Sequence, residues 1–354
     1  MGQSKAYIAI DAHARNCVLG WRNGRGQWQG CTRFVTCEKE LVAHTRRLNA
    51  AVKIVTVEES TLAGWVARTL HPHVSQVVVC DPRHNESVHR DAFKNDSRDV
   101  EELSRLLWLD QLKGVYHPLN DQRAIFKMLA RQYLDLRDTQ ARLKHQLKAK
   151  YHLWGITAVQ GTLVYSDAER DTYLARIQDP SVRRQILRLY SLLDNAVNQE
   201  RDALRELMAT GRRYSEIAEF MKIPGVGPVG AHVFDAFIQT PVRFPDKRTV
   251  WRYCRLAVTD RSSDGKPLGF RRMDQQGNPE LKALSYWAWM GALHTKGDNE
   301  VKRFYRASLK RTQDKTHARL NTQRKIIATM WTLWKRGEPY RSERFLSPAD
   351  AVER

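Results

Sequence analysis

The chain of 354 residues predicts a mixed α/β region at its N-terminal end, a long helical arm, and a helical C-terminal region. Three observations predict this. Short apolar runs alternate with helical patterns as far as about Leu112. An uninterrupted helical period then exceeds ordinary globular length. Beyond about residue 214, helices dominate around glycine- and arginine-rich connections. The expected divisions are 1–118, 119–213 and 214–345, with a tail at 346–354.

The first element is Ala6-Tyr7-Ile8-Ala9-Ile10, whose alternation reads as a buried strand, followed at once by Asp11. A carboxylate at a buried strand end costs desolvation unless a cation or donor meets it. Alone, Asp11 reads as a turn cap. Runs at Cys17–Trp21 and Cys31–Thr36, with Asn23-Gly24 between them, complete an antiparallel meander. A helix follows over Glu38–Leu48, then a β-branched run Val52–Val57 ending in Glu58-Glu59. Ser60 and Thr61 are candidate caps for a helix running to about Leu70. Gln76–Cys80 is another strand, and a further helix runs from about Asp99 to Leu112. Meander, helix, strand, helix, strand, helix is the order of a ribonuclease-H-like domain, a mixed sheet covered by helices.

In that fold two acids stand at adjacent strand ends and others on the last helix. Asp11, Glu58, Asp96 and Asp99 fall at those places. Asp96 and Asp99 share a helix face; by themselves they could simply favour a helix N-terminus. Four converging carboxylates repel unless cations intervene, and Mg²⁺, a hard ion that takes oxygen ligands, suits them. Such ions can stabilise the attacking and leaving oxygens of phosphoryl transfer.

Asp121, a candidate cap, opens a helix to about residue 154, with an apolar seam of Ile125, Leu129, Leu136, Leu143 and Leu147. Its return arm runs from Pro180, capped by Asp179, to about Thr210, through Ile186, Leu187, Leu189, Leu193, Val197, Leu204 and Leu207. The pair is either an intramolecular helix pair or a coiled coil between subunits. Ile223-Pro224-Gly225-Val226-Gly227-Pro228, between helices at Ile217–Met221 and Ala231–Ile238, reads as a helix-hairpin-helix. Gly225 and Gly227 there leave backbone N–H groups open to a DNA phosphate.

A short helix around Trp251 leads into Thr259–Met273, read as a polar loop. Ser262 and Ser263 sit in it among Arg261, Lys266, Arg271 and Arg272. Serine needs a base or metal to take its proton and cations to hold the phosphate. From the loop alone the serines read as phosphate contacts. Tyr286, Trp287 and Trp289 on the helix Pro279–Leu293 read as core, and basic helices near Val301–Lys310 and Lys315–Trp334 close the chain.

Composition bounds the function. The formal net charge is +20, and Lys296–Arg344 alone holds fourteen Lys/Arg against five Asp/Glu. An excess of that size calls for an anionic partner, and nucleic acid is the commonest. Five cysteines without C-x-x-C spacing, and His71-Pro72-His73 without a zinc pattern, favour reduced thiols in an intracellular compartment. No signal peptide or bilayer-length apolar run occurs, so no membrane association is expected.

Together these pieces resemble the insertion-sequence transposases that join a DEDD, RuvC-like domain to a C-terminal serine domain. The resemblance rests on Asp11 after its strand, on Glu58, and on Lys94-Asn95-Asp96-Ser97-Arg98-Asp99, similar to a Lys-x-Asp-x-x-Asp motif. It continues in Ile-Pro-Gly-Val-Gly at 223–227, Ser-Ser-Asp-Gly-Lys at 262–266, and Arg272-Met273 followed by Gly277-Asn278. It implies an RNA-guided DNA recombinase, directed by a bridge RNA from the element and acting on double-stranded donor and target DNA. It implies Mg²⁺ on Asp11, Glu58, Asp96 and Asp99, and Ser263 as nucleophile of a covalent phosphoserine intermediate. Nucleic-acid contacts would fall on Lys94, Arg98, Gly225, Gly227, Arg261, Lys266, Arg271 and Arg272. A homodimer through the arm, assembling to a tetramer with composite active sites, is implied too, in the bacterial cytoplasm at the nucleoid. Two departures matter: Glu59 rivals Glu58, and Ser262 rivals Ser263. A hydrolytic RuvC-like nuclease for branched DNA, and a nucleic-acid-binding protein without chemistry, are the competing readings.

Overall fold

A computed structural model describes residues 4–82, 96–159, 161–263 and 266–346, with the backbone alone over 259–272. It divides into two compact units, Met1–Ala124 and Ile125–Arg354.

The first unit is built on a six-stranded mixed sheet. Strands β1 (Lys5–Ala12), β2 (Asn16–Asn23) and β3 (Trp28–Val35) form the meander. Helix α1 (Glu38–Arg47), β4 (Val52–Glu58), α2 (Ala63–Leu70), β5 (Gln76–Cys80), α3 (Asp96–Trp108) and the two-residue β6 (Gly114–Val115) follow. The order across the sheet is β3-β2-β1-β4-β5-β6, with β1, β4 and β5 parallel and the other neighbours antiparallel.

Alternation along β1 explains the layers. Ala6, Ile8 and Ile10 join Leu41 of α1 and Val66 and Leu70 of α2 in one core. Ala9 turns to the other face, where Val18, Cys80 and Val100 and Leu103 of α3 bury it. Two local expectations fail. The cap position of α2 is Leu62, without a side-chain bond, and Ser60 contributes only its carbonyl, accepting from Ala63 N–H. Helix α3 stops at Trp108 rather than Leu112, because Asp110 adopts a left-handed conformation (φ +55°) and Gln111 N–H bonds back to Leu106 O.

The second unit takes in most of α4 (Asp121–Leu153), the short α5 (Arg170–Leu174) and α6 (Pro180–Gly211). Asp179 caps α6 as expected, accepting from Ser181 and Val182 N–H. On α4 the capping group is Asn120, whose Oδ1 accepts from Gln122 N–H (2.7 Å); Asp121 instead meets Arg68 Nε at 2.8 Å. Leu143, Leu147 and Tyr151 pack on Ile186, Tyr190 and Leu193, so the two long helices pair within one chain. Ile125 and Leu187 stay about half exposed, outside that seam. Val159, Val164, Leu174 and Ile177 fill the far end of the pair, where Tyr190 OH donates to Val164 O (2.7 Å).

The remaining elements are α7 (Glu216–Phe220), α8 (Pro228–Ile238), α9 (Lys247–Tyr253), β7 (Val258–Ser263), β8 (Lys266–Met273), α10 (Pro279–His294), α11 (Glu300–Thr312) and α12 (Lys315–Arg336). Their largest core gathers Phe220, Phe234, Phe237, Trp289, Phe304, Ile326 and Trp331. The segment read as a polar loop is an antiparallel β-ribbon. Ser263 pairs with Lys266 at the end of the ribbon, and Asp264 and Gly265 lie outside the described residues. Trp287, expected in the core, is 65% exposed, while its neighbour Trp289 is buried. No helix among the described residues is long and apolar enough to cross a membrane.

Candidate active site

Parallel pairing of β1 with β4 sets Ile10 beside Val57, so the strands finish together with Asp11 and Glu58 at their ends. The first turn of α3 supplies Asp96 and Asp99. Asp11, Glu58, Glu59 and Asp99 line one cleft of about 430 Å³, with Ser60, Thr61 and Leu103 on its walls. Asp96 joins Asp11 and His13 in a tighter group: one ligand atom from each lies within 4.8 Å of the others.

The electrostatics follow from this crowding. Burial raises the Asp11 pKa above the usual carboxylate value; His13 opposes the rise, and the charges of Asp96 and Asp99 add to it. His13 Nε2 lies 3.0 Å from Asp11 Oδ2. Arg33 of β3 pairs with Asp96 and brings a fixed cation to that carboxylate. Glu58 and Glu59 both face the cleft, and Glu59 also reaches His117 Nε2 at 3.8 Å.

His13 and Arg33 were missed in the sequence. The signal for His13 was present: Asp11 and His13 are two apart, the spacing that puts side chains on one side of an extended chain. Arg33 carried no local signal, because its contact with Asp96 spans 63 residues.

The other sequence-predicted positions are spread over both units. Arg98 is exposed on the first turn of α3, and Lys94 lies outside the described residues. On the β-ribbon, Ser262 stands opposite Pro267, Ser263 opposite Lys266, Asp260 opposite Arg271 and Thr259 opposite Arg272. The register shifts between Asp260 and Ser262, a bulge at Arg261. Ser263 is the last residue of its strand.

The two hairpin glycines differ in kind. Gly225 has φ +85°, and a Cβ there would lie 2.0 Å from Ala288 O and 2.4 Å from Ala292 N of α10. It is a close-packing position. Gly227, at the cap of α8, has no heavy atom within 4 Å of where a Cβ would stand, so only this glycine presents open backbone. The groove beside it, about 640 Å³, is walled by Arg137, Val229, Glu280, Leu284 and the exposed Trp287.

Residues 217–306 match the Transposase IS116/IS110/IS902 family. The matched segment, about a quarter of the chain, runs from α7 into α11 and takes in the glycine hairpin, the β-ribbon and α10. It supports a DNA transposase or recombinase of insertion sequences, with DNA as substrate. The carboxylate cleft lies outside it. No curated protein matches the chain.

Proposed function

We propose that the protein is an RNA-guided DNA recombinase of an insertion sequence, with a RuvC-like metal centre and Ser263 as nucleophile. The observation that carries the reading is the gathering of Asp11, Glu58 and Asp99 in one cleft, with Asp96 beside Asp11, in a chain whose residues 217–306 match a transposase family. A protein that only held nucleic acid would gain nothing from carboxylates clustered against phosphate repulsion.

The donor set fits a divalent cation. Its carboxylate oxygens suit Mg²⁺, and mutual repulsion of Asp11, Asp96 and Asp99 is the kind that a bound cation relieves. When bound, Mg²⁺ supplies charge stabilisation to the oxygens exchanged at phosphorus. Asp11, Glu58, Asp96 and Asp99 would hold it, with Arg33 orienting Asp96. The imidazole of His13 adds a nitrogen beside the oxygen donors.

Ser263 contributes the covalent step. Its Oγ gives up a proton and bonds to phosphorus, while a deoxyribose hydroxyl leaves with a proton. Attack by a second strand's hydroxyl reverses the exchange and frees the serine. Each phosphoester broken is matched by one formed, so strands are rejoined without an external energy source. Arg261, Lys266, Arg271 and Arg272 are the cations we assign to that phosphate, with Arg98 and Lys94 serving the nucleic acid beside the acids. Guidance by a bridge RNA, dimerisation through the α4–α6 arm and pairing of dimers into a tetramer complete the reading. They rest on the resemblance in the motifs.

One observation favours a second reading, a hydrolytic nuclease: among the described residues, those lining the carboxylate cleft all belong to the first unit. A denaturing gel separates the two. Protein, guide RNA, Mg²⁺ and end-labelled donor and target DNA should give a protein-linked band, lost in Ser263→Ala. Cleavage without an adduct, unchanged in that variant, would refute the serine mechanism.

A further inference from the structure

The second unit carries a cationic cleft that none of the proposed chemistry uses. It lies between α9, α11, α12 and the segment after α12, with a volume of about 500 Å³. Pockets that hold small ligands or single nucleotide units span about 300–1,000 Å³. Among the described residues, seven cationic side chains line this one against a single carboxylate, Glu338. That carboxylate is already engaged by Arg344 Nη1 at 2.5 Å.

The cations are built in. Arg324 is partly buried; its Nε donates to Leu256 O (2.7 Å), and its own carbonyl accepts from Trp251 Nε1 (2.9 Å). Its guanidinium and Lys247 Nζ lie 5.6 and 5.7 Å from the Trp251 ring centre. Lys325 extends between the rings of Phe304 and Phe345, at 5.8 and 5.6 Å. Arg311, Arg336 and Arg341 stand exposed at the lips. Aromatic walls hold these groups in place but neutralise none of their charge. Cations gathered this closely raise the local positive potential and favour an anion among them.

We propose that this cleft is a phosphodiester-binding site, which grips the backbone of a nucleic-acid strand at Arg311, Arg324, Lys325, Arg336 and Arg341. Five of the seven cations are arginines, whose planar forks match phosphate oxygens in pairs. The rigid Arg324 sits at the base, and the exposed arginines at the lips can follow a strand past either side. An acidic protein segment is the competing occupant, but paired recognition of many closely spaced anions favours a sugar-phosphate backbone. The site stands independently of the serine mechanism, since binding alone tests it.

The test uses the full chain, with labelled single-stranded DNA and RNA of one sequence followed by fluorescence anisotropy across a salt series. Arg311→Ala/Arg341→Ala removes two lip cations. Arg183→Ala/Arg184→Ala, exposed on α6, makes the same charge change elsewhere. Loss of two phosphate contacts should flatten the plot of log affinity against log salt by about 1.4, which is on the order of tenfold at 0.15 M. The melting temperature should not fall, and the α6 variant should keep the wild-type slope. The strand losing more affinity, DNA or RNA, identifies the source of the phosphodiester. Equal losses in the two double variants would overturn the proposal, because net charge would then account for binding. So would displacement by poly-glutamate that depends on Arg311 and Arg341 as strongly as the oligonucleotide does.

Discussion

Replacing Gly225 by alanine separates a packing glycine from a phosphate cradle. The residue lies at φ +85°, where an ordinary side chain costs about 1–2 kcal/mol. The new Cβ would also stand 2.0 Å from Ala288 O and 2.4 Å from Ala292 N, both backbone atoms of α10. Gly291, on the same face of that helix, is also close, a Cβ there lying 3.2 Å from Gly225 O, so hairpin and helix pack backbone against backbone. Overpacking of that kind adds about 1–3 kcal/mol. The total, about 2–5 kcal/mol, corresponds to a fall in melting midpoint of roughly 4–20 °C for a unit of this size. Gly227→Ala is the counterpart. With φ −79° and open space around it, it should cost under about 1 kcal/mol. If open backbone at the start of α8 receives a phosphate, Gly227→Ala weakens DNA binding without unfolding the protein. Thermal melts by tryptophan fluorescence, which sample Trp287 and Trp289 on α10, read both variants. A Gly225→Ala protein melting within 2 °C of wild type, or Gly227→Ala as the more damaging change, would refute this reasoning.

Four further outcomes are expected. His232 is buried against Phe126, its Nδ1 donating to Pro228 O, and burial holds its pKa below the ordinary 6.5. The unfolded chain therefore binds the proton more readily, and stability should be lost as pH falls through 6.5 toward the folded-state pKa. His232→Gln should flatten the melting midpoint between pH 7.5 and 5.5, and an unchanged slope would count against the assignment. Tyr190→Phe strands Val164 O and removes the partner of Tyr151 OH at the end of the helical arm; it should cost about 1–3 kcal/mol, measured by chemical denaturation, and a neutral result would mean that water replaces the hydroxyl. Asp11→Asn should weaken divalent-cation binding at least about tenfold by calorimetry, and His13→Ala should reduce Mn²⁺ affinity more than Mg²⁺ affinity, since imidazole favours the softer ion. Equal loss for both ions would remove His13 from the ligand set.

Local pattern accounts for what was legible beforehand. Strand alternation from Ala6 to Ile10, the β-branched run before Glu58 and the helical period of the two long helices each encode which side is buried, because burial of apolar side chains repeats with the backbone's own geometry. The Asp179 cap and the glycine hairpin between α7 and α8 were legible for the same reason: a few adjacent residues satisfy their own backbone groups. The placement of Asp11 and Glu58 at neighbouring strand ends followed from strand order.

Tertiary structure decided the rest. The β-ribbon looked like a loop because its residues are polar and the hydrogen bonds that define it lie between strands. Trp287 and Trp289, two apart on one helix, differ in exposure because the core covers only one side of α10. Gly225 became a packing residue through α10, more than sixty residues away. His13 and Arg33 entered the carboxylate cluster, and Arg324 the cationic cleft, through contacts that no sequence period records. The sequence by itself determined which faces are apolar and which residue types are available for chemistry. Only folding chose the partner for each face, because that choice depends on the combined packing of segments far apart in the chain.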